Sequence, residues 1–145
     1  MKAILVLLLT ACGQVEISLP THFVQVEDKY REQAIVAMEA LNADGVLYRW
    51  EGEPGPGETV IKIVAVDPAV FGPRGGTAYN DAGVIYINWN VKPSWYHLPI
   101  TIVHELGHTR GLYHSPDRNN VMYESSQNVD DVVVASQQVR EAISR

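Results

Sequence analysis

The sequence contains a single cysteine, Cys12, among its 145 residues. A disulfide within the chain is therefore impossible, and a zinc site built from several cysteine thiolates is excluded. Basic residues are also scarce, because 11 lysines and arginines stand against 17 aspartates and glutamates, which gives a formal net charge of −6. No run of lysine or arginine occurs, and a protein that binds a nucleic-acid backbone needs a basic face. We therefore expect no nucleic-acid partner.

Long apolar runs are missing as well. The apolar run at the amino terminus covers only residues 3–9, whereas a helix that crosses a bilayer needs about 20 apolar residues. A lysine precedes this run, and small residues and then Cys12 follow it, an order typical of a short secretory signal. The ending Leu9-Thr10-Ala11-Cys12 resembles a bacterial lipoprotein signal, in which the cysteine is lipidated and becomes the new amino terminus.

This resemblance implies a membrane anchor and a location. We expect residues 1–11 to be a signal peptide, Cys12 to be the lipidation site, and residues 12–20 to be a tether, with an entering strand over residues 13–20 as the alternative. The protein would then lie in a bacterial cell envelope, on the periplasmic or outer-membrane face, held by acyl chains rather than by charge. Without lipidation it would be secreted. The alternative is that residues 4–9 form a buried first strand and that Cys12 is an ordinary core residue.

Residues 21–145 have the composition of one packed domain, because 46% of the chain is hydrophobic and only 19% is charged. Apolar residues at helical or alternating spacing, separated by turn residues, divide this part into helices and strands. We predict helices over residues 27–43, 99–110 and 130–144, and strands over residues 46–50, 59–66, 77–80 and 84–89, of which the last two form a hairpin. Because the strands are grouped rather than alternating with helices, the predicted fold class is α+β. We expect the domain to be a monomer.

Three of the five histidines lie in one short segment, His104-Glu105-Leu106-Gly107-His108-Thr109-Arg110-Gly111-Leu112-Tyr113-His114. Residues four apart lie on one face of a helix, so His104 and His108 can direct their imidazoles at one cation. Gly111 can adopt the positive φ that ends a helix, and the chain then turns back to bring His114 as a third ligand. Three neutral imidazoles leave one position open for water, which is typical of a catalytic zinc site. The alternative, histidines scattered over the surface of a helix, would not explain why Gly111 and His114 stand at the spacings that a shared metal site needs.

Glu105 follows His104 directly and projects beside the expected cation, where it can hold a water molecule instead of binding the ion. We expect one catalytic Zn²⁺ and a metal-activated water. Glu105 would accept the proton of that water as general base and deliver it to the leaving group.

The segment resembles the metzincin clan of zinc endopeptidases, and its matrixin branch is the most similar. The clan carries a methionine in a tight turn beneath the metal, and Met122 lies eight residues after His114. As in matrixins, Ser115 follows the third histidine and Tyr123 follows the methionine. Close similarity covers residues 100–132.

The resemblance implies a metzincin-like fold with a twisted, mostly parallel sheet, an antiparallel edge strand, a backing helix, an active-site helix and a carboxyl-terminal helix. Residues 75–78 resemble the edge strand of this clan, which we expect to pair with the backbone of a peptide or protein substrate. Met122 then has a structural role. Tyr123 either stabilises the oxyanion or lines a pocket.

The sequence also departs from the matrixin pattern. Matrixins usually hold a second, structural zinc on three histidines and an aspartate, but only His22 and His97 remain outside the motif, so we expect no such site. Acid-rich calcium loops are not obvious, although Asp67 and Asp81 leave a weak site open. Glu124 stands where a proline normally follows the Met-Tyr pair, which changes the expected shape of the pocket.

The function we expect is therefore zinc-dependent endopeptidase activity. Two alternatives stay open beside it. One is a zincin-fold lipoprotein that binds a peptide or partner without cleaving it, or in which zinc only stabilises the domain. The other keeps the chemistry but acts on the peptide crosslinks of a cell wall.

Overall fold

The computed structural model describes residues 7–9, 15–17, 19–73, 75–125 and 128–145 of the chain. Strands β1 (Leu7–Leu9) and β2 (Val15–Ile17) pair with each other in an antiparallel ladder that is separate from the main sheet. Cys12 lies outside the described residues, so its lipidation and the signal peptide stay predictions. No helix in the described ranges is long and apolar enough to cross a bilayer.

The main sheet has five strands, in the spatial order β4-β3-β5-β7-β6. Their bounds are His22–Val26 (β3), Tyr48–Arg49 (β4), Val60–Val66 (β5), Ala78–Asp81 (β6) and Val84–Asn88 (β7). All neighbours are parallel except β6, which pairs antiparallel with β7 through a tight hairpin and forms one edge of the sheet. This confirms the mostly parallel sheet with an antiparallel edge strand.

Strand β3 was not among the predicted strands, although it lies inside the sheet between β4 and β5. Its first three residues, His22, Phe23 and Val24, are all buried. A half-buried strand is recognised by the alternation of apolar and polar residues along the sequence. A short strand with consecutive buried residues lacks this alternation. The sequence pattern therefore gave no signal at this position.

Three α-helices are present among the described residues, and the three predicted helices are confirmed: the first and third are shorter than predicted, and the second is shifted by one residue. They are α1 (Arg31–Leu41), α2 (Leu98–Thr109) and α3 (Val132–Ile143). Pro99 occupies the first turn of α2, where its missing N–H would have had no partner. The Asp131 carboxylate accepts hydrogen bonds from the N–H groups of Val133 at 2.7 Å and Val134 at 3.3 Å and so caps α3.

The helices pack against one another, and their apolar residues join those of the sheet in one core. Each fully buried aliphatic side chain contributes about 1.5–3 kcal/mol to folding. The largest buried side chains come from every layer of the fold: Tyr30, Met38, Leu41, Tyr48, Ile61, Ile63, Ile85, Ile87, Leu98, Ile100, Ile102 and Leu106.

The second half of α2 is also tied to the sheet by polar contacts. The Tyr48 hydroxyl, on β4, donates a hydrogen bond to the Leu106 carbonyl at 3.0 Å inside the core. The Arg110 guanidinium donates to the carbonyls of Pro20 and Leu47, each at 2.6 Å, and lies 5.0 Å from the centroid of the Tyr48 ring. These contacts fix the position of α2, which carries the candidate site.

Candidate metal centre

The three histidines of the motif meet in the structure. His104 and His108 lie one turn apart on α2, and His114 lies beyond the end of the helix. The Nε2 atom of His108 is 3.1 Å from the Nε2 atoms of both His104 and His114. Among the described residues, they form the only group of three metal-ligating side chains whose ligand atoms all lie within 4.8 Å of one another.

Backbone carbonyls orient the two helical imidazoles. Nδ1 of His104 lies 2.6 Å from the Val121 carbonyl, and Nδ1 of His108 lies 2.7 Å from the Leu112 carbonyl. A carbonyl only accepts, so each Nδ1 carries the proton and each Nε2 presents a lone pair. Bonds of this kind fix the tautomer and the ring orientation of histidines that ligate a metal.

Burial keeps these imidazoles neutral. It lowers the pKa of His104 to about 4, and the neighbouring rings of His108 and His114 lower this pKa further, while the bond to Val121 opposes the shift. Burial also lowers the pKa of His108. Neutral imidazole is the form that binds a metal ion, so burial favours the binding form of the two helical histidines.

The turn after α2 brings His114 to the other two rings. Gly111 has a φ of 85°, a left-handed conformation that favours glycine. Its N–H donates to the His108 carbonyl at 3.0 Å, and the Leu112 N–H donates to the Gly107 carbonyl at 3.2 Å. This pair of bonds is the Schellman motif of a helix end. The same turn places the Leu112 carbonyl against Nδ1 of His108. One turn therefore orients the ring of His108 and also positions His114.

Glu105 lies beside the cluster, on the wall of a cavity that also includes His108 and His114. Its side chain is 6% exposed, and this burial raises the pKa of its carboxyl group to about 7. In the described part of the chain, no donor hydrogen-bonds this carboxylate. Its oxygens are therefore available to a molecule in the cavity.

Met122 forms a tight turn beneath α2, as the resemblance implied. The Met122 N–H donates to the Asn120 side-chain oxygen at 2.8 Å, and the Tyr123 N–H donates to the Asn120 carbonyl at 3.0 Å. Met122 is 4% exposed and packs against Gly107, where an added Cβ would come within 2.8 Å of the Met122 sulfur. The methionine thus fills the space against the helix at Gly107.

Two cavities flank the histidine cluster along β6. The larger, of about 1010 Å³, reaches Glu105, His108 and His114, and the smaller, of about 690 Å³, reaches His104 and Tyr123. Both volumes fall in the range of ligand-binding clefts, about 300–1,000 Å³. Tyr123 lines the smaller cavity, and its role as a pocket residue or in stabilising the oxyanion stays a prediction.

The other two histidines and Asp67 lie outside the cluster, although His97 lines the smaller cavity together with His104. His22 is on β3, with its ring edge-on to Tyr48 at a centroid distance of 6.1 Å, and His97 packs against Tyr96 at 4.2 Å. The Asp67 carboxylate accepts the Ala69 N–H at 2.8 Å and caps a short turn of 3-10 helix.

Several contributors to the site were not predicted. The carbonyls of Leu112 and Val121 are backbone groups, which no side-chain pattern reveals. Asn80, on β6, donates a hydrogen bond to the Glu105 carbonyl at 3.3 Å and joins the edge strand to α2. The contact of Gly107 with Met122 is also a product of packing, and the only signal for it was the glycine inside a predicted helix.

The sheet, the helix that carries two of three converging imidazoles and the buried methionine turn together define a metzincin-like domain. The sequence model of the Matrixin family matches residues 21–144. The chain therefore belongs to the matrixin family.

Structural comparison supports the fold. The crystal structure of archaemetzincin from Methanopyrus kandleri is similar to the chain with a TM-score of 0.58 and 15% sequence identity, covering 86% of this chain and 94% of that one. No curated relative matches the sequence significantly. The family, the fold and the histidine cluster, which can bind a zinc ion, together support a zinc metallopeptidase.

Proposed function

We propose that the protein is a zinc-dependent endopeptidase in which Glu105 is the general base. The observation that carries the proposal is the convergence of three imidazoles next to a buried carboxylate on the wall of a cleft. Zinc bound by imidazoles at 2.0–2.1 Å in a tetrahedral arrangement requires ligand nitrogens about 3.3 Å apart. The Nε2 separations of 3.1 Å match this requirement to within a few tenths of an ångström.

The lone pairs of the cluster favour a bound cation. His104 and His108 both donate through Nδ1, so their Nε2 atoms face each other without a proton between them. Two lone pairs at 3.1 Å repel each other, and a cation between them converts this repulsion into coordination. His104, His108 and His114 would therefore hold one Zn²⁺ and leave its fourth position to the cleft.

When bound, zinc would polarise the carbonyl of the scissile peptide bond and lower the pKa of a water molecule in the open position. A divalent cation beside Glu105 also favours the charged form of this carboxyl group and opposes the effect of its burial. Glu105 would then accept a proton from the attacking water and pass it to the leaving amine, so that no covalent intermediate with the protein is needed.

The cleft suits a substrate that extends on both sides of the scissile bond. One cavity lies on the side of His108 and His114, and the other lies on the side of His104 and Tyr123. The free edge of β6 borders both cavities through Ala78, and an extended peptide can add to such an edge by backbone hydrogen bonds. This arrangement favours an endopeptidase. Tyr123 would act there as a pocket residue.

A chelator experiment combined with Glu105→Gln tests the proposal. Purified protein should contain one zinc per chain and cleave casein or a quenched peptide, and removal of the metal should abolish cleavage. Glu105→Gln should keep the zinc and lose about 10²- to 10⁴-fold in turnover, the usual contribution of general acid–base catalysis. Zinc-loaded wild-type protein that binds peptides without cleaving any would instead support the binding module, and cleavage confined to wall peptides would support the narrower alternative.

We also propose that the chain is anchored in the cell envelope through lipidated Cys12. The order of charge, apolar run, small residues and cysteine supports this. In a bacterial host, the wild-type protein should incorporate labelled palmitate and sediment with membranes, and Cys12→Ser should lose both properties. Wild-type protein that takes up no label would contradict the anchor and leave the peptidase proposal intact.

A further inference from the structure

The two cavities of the cleft meet at one charged side chain. Of all the residues that line them, only Ala78 and Glu124 border both. Glu124 follows Tyr123 directly, so its position depends on the methionine turn beneath the metal centre. Glu124 therefore lies where a substrate can extend from one cavity into the other.

Glu124 is the acidic group that the cleft leaves available to a substrate. Glu58 also lines the larger cavity, but its carboxylate already binds Arg49 at 2.6 Å and the Gly55 N–H at 2.7 Å. Glu105 is buried and belongs to the proposed catalytic machinery. Glu124 is exposed, and within the described residues it has no ion-pair partner.

The surroundings of Glu124 suit a cationic side chain. No lysine or arginine is found among the described residues that line either cavity. The smaller cavity adds an indole wall from Trp95, which is 37% exposed, and a hydroxyl group from Thr101. A carboxylate next to an aromatic face is a favourable environment for an ammonium or guanidinium group.

We propose that Glu124 is a specificity-determining residue that selects lysine or arginine next to the scissile bond of a peptide substrate. The inference rests on the proposed peptidase function and names its substrate class. Glu124 is the residue that stands here in place of the usual proline after the Met-Tyr pair. It has no role in the chemical step.

Peptide pairs that differ at one position test this selection. Each position flanking the scissile bond of a quenched peptide is varied among lysine, arginine, glutamine and glutamate. At one of these positions the wild-type kcat/KM should be about fivefold to tenfold higher for lysine or arginine than for glutamine, the effect expected of a charge-assisted contact in a partly exposed site. This preference should shrink as the salt concentration rises.

Glu124→Gln should abolish the preference, and Glu124→Lys should reverse it in favour of glutamate. Glu39→Gln is the matched control, because it removes the same charge from an exposed position on α1 that lines neither cavity. It should leave the preference unchanged. A preference that survives in Glu124→Gln, or a wild-type protein that does not distinguish lysine from glutamine, would overturn the inference.

Binding measurements separate this inference from the proposed function. Zinc-loaded Glu105→Gln should bind the lysine peptide about fivefold to tenfold more tightly than the glutamine peptide, and Glu105→Gln with Glu124→Gln should bind both equally. If the wild-type protein cleaves neutral peptides but neither measurement shows a preference, only the inference fails. If lysine peptides bind selectively and none is cleaved, the peptidase proposal fails and the selection by Glu124 stands.

Discussion

The candidate site has a buried half and an exposed half. His104, Glu105 and Met122 are all buried in the packing of α2 against the rest of the domain, whereas His114 and Glu124 lie in exposed segments after that helix. The buried half is fixed by core contacts and by the bond from His104 to the Val121 carbonyl. The exposed half depends on two local turns, at Gly111 and at Met122. Stability and ligand geometry should therefore respond differently in the two halves.

The largest difference between the two halves is expected when one metal ligand is removed from each, and it concerns the stability of the metal-free protein. His104→Ala and His114→Ala should each lose stoichiometric zinc and peptidase activity, because two imidazoles hold the ion less tightly than three. In the absence of metal their effects should diverge. His104→Ala leaves a cavity and an unpaired Val121 carbonyl, which should cost about 1–3 kcal/mol or more in the free energy of unfolding. His114→Ala should change it by less than about 0.5 kcal/mol.

Chemical denaturation in the presence of a chelator measures these differences, and zinc content is determined on the same samples. Equal losses of stability in both variants would show that the two halves are not distinct.

The buried carboxyl group should make stability depend on pH. Burial raises the pKa of Glu105 in the folded state to about 7 from an ordinary value of 4.5. The folded protein therefore holds a proton that the unfolded chain has released between these pH values, and the contribution of Glu105 to stability falls as the pH rises from 4.5 to 7. At pH 8 the penalty is on the order of 3 kcal/mol.

Metal-free Glu105→Gln should accordingly gain stability relative to the wild type as the pH rises from 5 to 8. His104 acts in the opposite sense, since its lowered pKa removes stability as the pH falls from 6.5 towards 4, but it is present in both proteins and cancels in the difference. A difference between the two proteins that is constant over this pH range would show that Glu105 is not held in a desolvated position.

An added methyl group tests the packing of the buried half. Gly107→Ala places a Cβ 2.8 Å from the Met122 sulfur, and overpacking of this kind typically costs about 1–3 kcal/mol. The methionine turn should move, and zinc affinity should fall with stability. Gly107→Ala should therefore cost less stability in a protein that also carries Met122→Ala than in a protein that keeps the methionine. If the two single effects simply add, the contact between Gly107 and Met122 does not matter.

A methyl group at the helix end tests the exposed half. Gly111→Ala introduces backbone strain of about 1–2 kcal/mol, because φ is 85° at this position. The strain is not a steric clash, since no atom lies within 4 Å of the new Cβ. The turn that carries His114 should shift, and zinc affinity should fall about 10- to 100-fold.

Gly57→Ala is the control for Gly111→Ala, since Gly57 has a φ of 73°, equal open space and no place in the site. It should cost similar stability and leave zinc affinity unchanged. Equal zinc affinities in the two variants would mean that the turn at Gly111 does not position His114.

The ligands could be predicted from sequence because their geometry is local. The spacing of His104 and His108 follows from the helical repeat, and Gly111 marks the helix end from which His114 returns. The same local rules predicted α1 and α3 and the hairpin of β6 and β7. Local spacing is sufficient wherever the partners lie within a few residues of each other.

What could not be predicted depends on distant partners. Strand β3 is recognisable only through its neighbours in the sheet, β4 and β5. The bond from His104 to the Val121 carbonyl joins residues 17 positions apart. The position of Glu124 between two cavities depends on all the elements that form the cleft. Such contacts arise from the packing of separate elements, for which a single sequence gives no spacing rule.

The central claim is that three imidazoles hold one divalent cation and leave it open to the cleft. Anomalous diffraction from crystals of the zinc-loaded protein, recorded at the zinc absorption edge, tests it most directly. The account predicts one strong peak about 2.0–2.1 Å from the Nε2 atoms of His104, His108 and His114, without a fourth protein ligand. A peak that lies elsewhere, a fourth protein ligand that closes the site, or no peak at the three histidines would contradict it.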